Sequence, residues 1–260
     1  MNRVAQLHER RVYECRLTPN RALESLDEAE EFARDRSMLT RTADCSLPSL
    51  FEACHEEAYA PGKGGFAEWP ATKWRWFGEL SNRPGLQALK IHNGKSLLVT
   101  HELTPVLDPI CRAELRRMER DDPQWARLLG HLAEAGPSEP EDLQTELGLK
   151  PKELKQIRHP LERCGAVLSR AVVHAVASEG NVHASELARW DQVFPEPATG
   201  RAQLDDLIVH GVRAAVVAPE RELRKWFSWS WRFPPDLVDR LVAEGRLERP
   251  ETGWVALPAV

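Results

Sequence analysis

Lys152, Lys155, Gln156 and His159 recur at i, i+3, i+4 and i+7 within PKELKQIRHPLER, so on a helix they share one face. Leu154, Ile157, Leu161 and Cys164 fall on the opposite one. Lysine and arginine can meet DNA phosphates, and a glutamine amide can read adenine in the major groove. From Gly148 to Gly165 the basic residues Lys150, Lys152, Lys155, Arg158 and Arg163 stand against Glu153 and Glu162, a net charge of +3. Such a face suits a recognition helix, and the plain alternative is a solvated, lysine-rich surface. Pro160 is expected to kink or end the helix.

A second constellation mixes indoles with cations. Between Trp69 and Thr100, Lys73, Arg75, Arg83, Lys90 and Lys95 face Glu79 alone, a net of +4. Trp69, Trp74 and Trp76 sit among Lys73 and Arg75, while Trp226, Trp229 and Trp231 sit among Arg224, Lys225 and Arg232. Aromatic rings interleaved with basic residues can stack on bases and hold the adjoining phosphates. Helical spacing marks Trp125, Trp74 and Trp226 as core. For Trp76, Trp229 and Trp231 both readings stay open. The candidate DNA contacts are thus Lys152, Lys155, Gln156, Arg158, His159, Arg163, Lys73, Arg75, Trp76, Lys90 and Lys95.

Enzyme signatures are lacking. The chain has no GxSxG, GxxxxGK[ST], GxGxxG or HExxH, so hydrolase-elbow, phosphate-loop, dinucleotide and zincin chemistries have no support. Cys54-His55 lies beside Glu56 and Glu57, but adjacent helical residues point in different directions, which favours a helix surface. Cys15, Cys45, Cys54, Cys111 and Cys164 are odd in number and show no CxxC spacing, so no disulfide framework or zinc site is indicated and they read as small apolar residues. No cofactor or metal is expected.

The elements that must position these residues follow from periodicity. ESLDEAEEFARD, with a net of −5, reads as one exposed helix touching the core through Leu26, Ala29 and Phe32. LPSLFEACHEEA predicts a short helix starting near Pro48. A helix carrying Trp74, Phe77 and Leu80 precedes a hairpin, LQALKIH and KSLLVT, turning at Asn93-Gly94. Trp125, Leu128, Leu129 and Leu132 mark an amphipathic helix ended by Gly136. Ser138 and Glu141 read as a capping box for a helix through Leu143 and Leu147, ended by Gly148. After the basic helix, GAVLSRAVVHAV and VHASELARW read as strands joined at ASEGN. Three short helices and a hairpin make a winged helix.

A second, smaller copy closes the chain. A helix with Leu204, Leu207, Ile208, Val212 and Ala215 leads to PERELRKWF, then to a helix with Leu237, Val238, Leu241 and Val242, then to a hairpin turning at Glu251 to Gly253. From Phe233 to Gly253 five acids outnumber three arginines. This copy is a poor DNA reader and points instead to a protein partner or a homodimer contact. The expected fold is mainly α with short β-hairpins, in the α+β class, with tandem winged-helix domains. Its segments are 1–120, an α+β domain, 121–198, a winged helix, and 199–260, a second winged helix.

The 260 residues are 42% hydrophobic and 29% charged, with a net charge of −5 and a mean hydropathy of −0.47. That excludes a disordered chain and one that coats nucleic acid through bulk charge. No run approaches the length that crosses a bilayer and the start lacks a signal-peptide core, so no membrane partner and a cytoplasmic location are expected.

Short words along the chain, ALESLDEAEEFARDRSMLT, SLPSLFEAC, KWRWFGEL, LQALKIHNGKSLLVT and GWVALP, resemble bacterial proteins grouped with the cross-link repair DNA glycosylases of the AlkZ and YcaQ type. The resemblance covers most of residues 20–258. It implies tandem winged helices forming a DNA-binding surface, and in the glycosylases proper a Gln-aliphatic-Gln or Gln-aliphatic-Asp motif. Here the nearest match is Gln6-Leu7-His8, without the second amide or carboxylate and on a segment expected to fray. Three readings follow. The first is a double-stranded DNA-binding module linked to repair and without catalysis, the second a glycosylase excising damaged or cross-linked bases, and the third a winged-helix interaction or transcription-regulatory module.

Overall fold

The computed structural model describes residues 2–70, 73–176, 180–199 and 204–259. The elements are, in order, α1 (Arg3–Glu14), α2 (Leu26–Arg36), β1 (Met38–Thr40), α3 (Trp74–Ser81), β2 (Leu86–His92), β3 (Lys95–Thr100), α4 (Thr104–Asp121), α5 (Pro123–Ala135), α6 (Pro140–Leu147), α7 (Pro151–Arg163), β4 (Val167–Val176), β5 (Gly180–Arg189), α8 (Trp190–Val193), α9 (Leu204–Ala215), β6 (Val217–Pro219), α10 (Glu220–Leu223), α11 (Leu237–Ala243), β7 (Glu248–Glu251) and β8 (Trp254–Ala256). The fold is mixed, mainly helix with small antiparallel sheets. Two compact units result: Met1–Gln87, Leu97–Leu103 and Gln203–Val260 form one, and Ala88–Ser96 with Thr104–Ala202 form the other. The chain's two ends therefore share a unit.

In the second unit, Asp122 caps α5 by accepting from the Gln124 and Trp125 amides at 2.7 and 3.3 Å. Leu128, Leu129 and Leu132 of α5, Leu143 and Leu147 of α6, and Leu154, Ile157 and Leu161 of α7 close one core with Val167 and Leu187 of the hairpin. Gly148 ends α6 in the left-handed conformation, with φ at 60°. The expected capping box at Ser138 is not formed: Ser138 and Leu187 exchange both backbone hydrogen bonds, at 3.0 and 2.8 Å, so the residue is drawn into a β-bridge instead. The helix also runs through Pro160 to Arg163. Buried Leu161 and Cys164 hold its last turn against the core despite the missing amide. The paired strands β4 and β5 follow, while their tip, expected at ASEGN, falls on residues 177–179, outside the described residues.

Two sheets share one strand order, β1-β3-β2 and β6-β8-β7, and the second of them lies wholly in the first unit. Each follows one scheme: a helix (α2 or α9), a short strand, a helical turn, a second helix (α3 or α11), then a hairpin whose second strand lies in the middle. The second unit repeats it, with α5, the Ser138 bridge beside β5, α6, α7 and the β4-β5 hairpin. The order thus occurs three times, and the repeat that includes α3 is not legible in the sequence. One reason is that residues 47–58 do not form the expected helix. The Thr40 amide bonds Pro48 O and the Leu50 amide bonds Thr40 O, both at 2.9 Å, which draws 48–50 alongside β1 and leaves only a 3-10 turn at Glu52–Cys54.

The N-terminal helix is not frayed. Leu7 packs with Val216, Val217 and Ala256, the His8 ring meets Trp254 edge-on at 4.6 Å, and Arg11 Nη1 donates to Ser46 O and Ala215 O at 2.6 and 2.7 Å. Gly211 lets Trp226 seat on α9, since a Cβ there would stand 2.6 Å from its ring. Among the described residues no helix is long and apolar enough to cross a membrane.

Candidate nucleic-acid interface

Helix α7 divides as its periodicity requires. Leu154, Ile157 and Leu161 are buried, and Lys152, Lys155, Gln156, His159 and Arg163 are exposed on the other side, with Arg158 half-buried at the margin. The helix opens with the Lys150 amide donating to Glu153 Oε2 at 2.7 Å. Among the described residues Lys152, Lys155, Arg158 and Arg163 have no acidic partner, which leaves their charge available to a ligand. Beside the first turn, a cleft of about 390 Å³ is lined by Gln124, Arg127, Leu149, Glu153 and Gln156.

The tip of the β2-β3 hairpin, which belongs to the same unit, lies along the other end of α7. Lys90 Nζ reaches Glu162 Oε1 at 2.6 Å, and this carboxylate, 3% exposed, also accepts from Ser169 Oγ. Asn93 and Gly94 both take positive φ, 52° and 86°, the pair a tight hairpin turn demands. A Cβ on Gly94 would stand 3.0 Å from His159 Cε1, so the turn rests on that imidazole. Lys95 is exposed immediately after it. The hairpin turn and α7 thus meet at Gly94 and His159. Lys90 does not join the exposed set, because its ammonium neutralises a buried acid.

The Trp and Lys cluster around α3 is only partly a surface. Lys73 Nζ bonds Glu56 at 2.8 Å and Leu23 O at 3.0 Å, and lies 4.3 Å from the centre of the half-buried Trp76 ring. Its charge is consumed inside the unit, which removes it from the candidate contacts. Arg75 is exposed. Trp74, expected in the core, is 39% exposed, because α3 buries Phe77 and Leu80 instead. Of the indoles left open, Trp229 is fully buried and Trp231 is 63% exposed.

Other candidates resolve into structural roles. His55 is not on a helix surface: it takes φ 48° after the 3-10 turn, and its Nε2 meets Arg16 O at 2.6 Å. Burial pushes the thiols of Cys54 and Cys164 up to about 12 and raises those of Cys15 and Cys111 as well. They are protonated packing groups, poor nucleophiles at neutral pH. In the closing repeat several acids are held in ion pairs. Arg240 pairs with Asp205 at 2.6 Å, and Arg249 with Glu220 and Asp239 at 2.7 and 2.6 Å. Gln6 is exposed on α1 while Leu7 is buried and His8 packs on Trp254, so the three residues do not face one site.

No family model matches the chain, and neither the curated proteins nor the solved structures include a match.

Proposed function

We propose that the chain is a duplex DNA-binding protein assembled from winged-helix modules, of which the one centred on α7 reads the duplex. The observation that carries this is the outward face of α7: Lys152, Lys155, Gln156, His159 and Arg163 are exposed on a helix that follows a tight turn and precedes a hairpin. In a helix-turn-helix the second helix enters the major groove by its N-terminal residues, and the wing tracks the backbone. Lys152, Lys155 and Gln156 occupy that N-terminal half. A link to repair rests on the resemblance to the cross-link repair glycosylases, and base excision itself is not part of the proposal.

The test is the salt dependence of duplex binding. Replacing Lys152, Lys155 and Arg158 together by Ala should lower the slope of log affinity against log salt by about one for each phosphate that is no longer neutralised. An unchanged slope would remove α7 from the interface. No duplex binding by the wild-type chain would favour a protein-interaction role.

A further inference from the structure

Apart from α7, the first unit exposes an aromatic pair. Tyr59 is 67% exposed and Trp74 39%. Their ring centres lie 5.6 Å apart at 63°, an edge-to-face arrangement that fixes each ring while leaving outward faces bare.

Gly78 is the second observation. It lies inside α3, four residues after Trp74, where glycine costs on the order of 1 kcal/mol relative to alanine. Its φ is not in the left-handed region, and a Cβ there would meet nothing within 4 Å. Neither backbone geometry nor packing accounts for it. Helical side chains lean toward the N-terminus, so a longer residue at this position would lie back over the Trp74 ring. Glycine therefore keeps that ring uncovered. Arg75, the next residue after Trp74, is exposed without an acidic partner among the described residues.

We propose that Tyr59, Trp74 and Arg75 form a stacking site for an unpaired nucleobase, with the Arg75 guanidinium holding the adjoining phosphate. Stacking on aromatic rings is open to any base, and a neighbouring cation supplies the backbone contact. α3 precedes its hairpin as α7 precedes its own, which places the rings on the element that meets nucleic acid in the second unit. The inference rests on the DNA-binding reading and adds single-stranded or unstacked DNA as the ligand of this surface.

The experiment compares a labelled oligothymidylate strand with an intact duplex of matched length, by anisotropy titration of the wild type, Trp74→Ala, Gly78→Gln and the Lys152/Lys155/Arg158 triple variant. Trp74→Ala should weaken strand binding about tenfold and leave duplex affinity unchanged. Gly78→Gln should do the same while its thermal midpoint holds or rises, which separates covering of the ring from loss of fold. Strand binding unaffected by both variants overturns the stacking site even where the triple variant loses duplex. Failure to bind either DNA overturns the DNA-binding reading as well. A proline-rich peptide titrated alongside, lost in Trp74→Ala while strand binding stays intact, would overturn the stacking site and reassign the pair to a protein partner.

Discussion

Asp108 accepts the Trp190 indole hydrogen on Oδ1 at 2.7 Å, with both groups buried. The same carboxylate takes Arg112 Nε at 2.8 and 3.0 Å and the Ala198 amide at 2.9 Å. One anion thus ties α4 to α8 and to the segment after it, inside the unit that carries α7. Asp108→Ala should cost about 3–5 kcal/mol, because it removes the indole's acceptor and the carboxylate paired with Arg112 together, leaving the guanidinium its contacts to Phe194 O and Pro195 O. Trp190→Phe, which leaves the Arg112 pair intact, should cost less on hydrogen bonding alone, about 1–3 kcal/mol, with the poorer packing of the smaller ring added. Urea unfolding of both variants checks the order, and equal losses would deny the carboxylate its central place.

Lys90 and Glu162 make a complementary case at the interface itself. With the ammonium gone, the 3% exposed carboxylate keeps, among the described residues, only the Ser169 hydroxyl as a side-chain partner. Lys90→Met should therefore destabilise by about 1–3 kcal/mol, and adding Glu162→Gln should recover much of it, since a neutral amide has no charge to strand. The salt slope of duplex binding should not change in the double variant. A reduced slope would return Lys90 to the phosphate contacts.

The elements legible in the sequence are those whose pattern is local. Asn93-Gly94 fixes its hairpin because that pair tolerates two positive φ values cheaply, and α5, α6 and α7 follow from apolar spacing and from the glycines that stop them. What is not legible depends on distant partners. Ser138 looks like a cap until Leu187, far along the chain, claims its backbone. Residues 48–50 look helical until Thr40 pairs with them, and α1 looks frayed until Val216 and Ala256 cover Leu7. The same logic divides the candidate contacts. The exposed face of α7 follows from its own period, whereas Lys73 and Lys90 are taken up by Glu56 and Glu162, acids whose proximity no spacing announces.

Acidification should loosen the first unit through His210. Burial, followed by the nearby Arg213 charge, pushes this imidazole below its ordinary 6.5, while Asp206 and Glu102 pull it back only in part and Arg246 adds to the depression. The unfolded chain thus binds the proton more readily than the folded one. Its contribution is complete above the unfolded value and is lost as pH falls from about 6.5 through the lowered folded value. His210→Gln, which stays neutral, should show a flatter fall in urea midpoint between about pH 7 and about pH 5 than the wild type. Identical profiles would mean that this imidazole is not buried in the neutral form.

Base excision is expected to be absent or very weak. Cleaving a glycosidic bond requires a placed group to activate water or steady the developing oxocarbenium ion, and losing such a group costs on the order of 10²-fold to 10⁴-fold. The nearest candidate, Gln6-Leu7-His8, is spread around a docked helix: Gln6 faces solvent, Leu7 is 3% exposed, and His8 meets Trp254. One amide in bulk water gives no preorganised field. Incubation with alkylated and cross-linked duplex, followed by alkaline cleavage and a denaturing gel, should show no abasic sites above buffer, with Gln6→Ala indistinguishable from the wild type. Robust cleavage that disappears in Gln6→Ala would instead make α1 the catalytic element, with a motif in which imidazole stands where the glycosylases carry an amide or carboxylate.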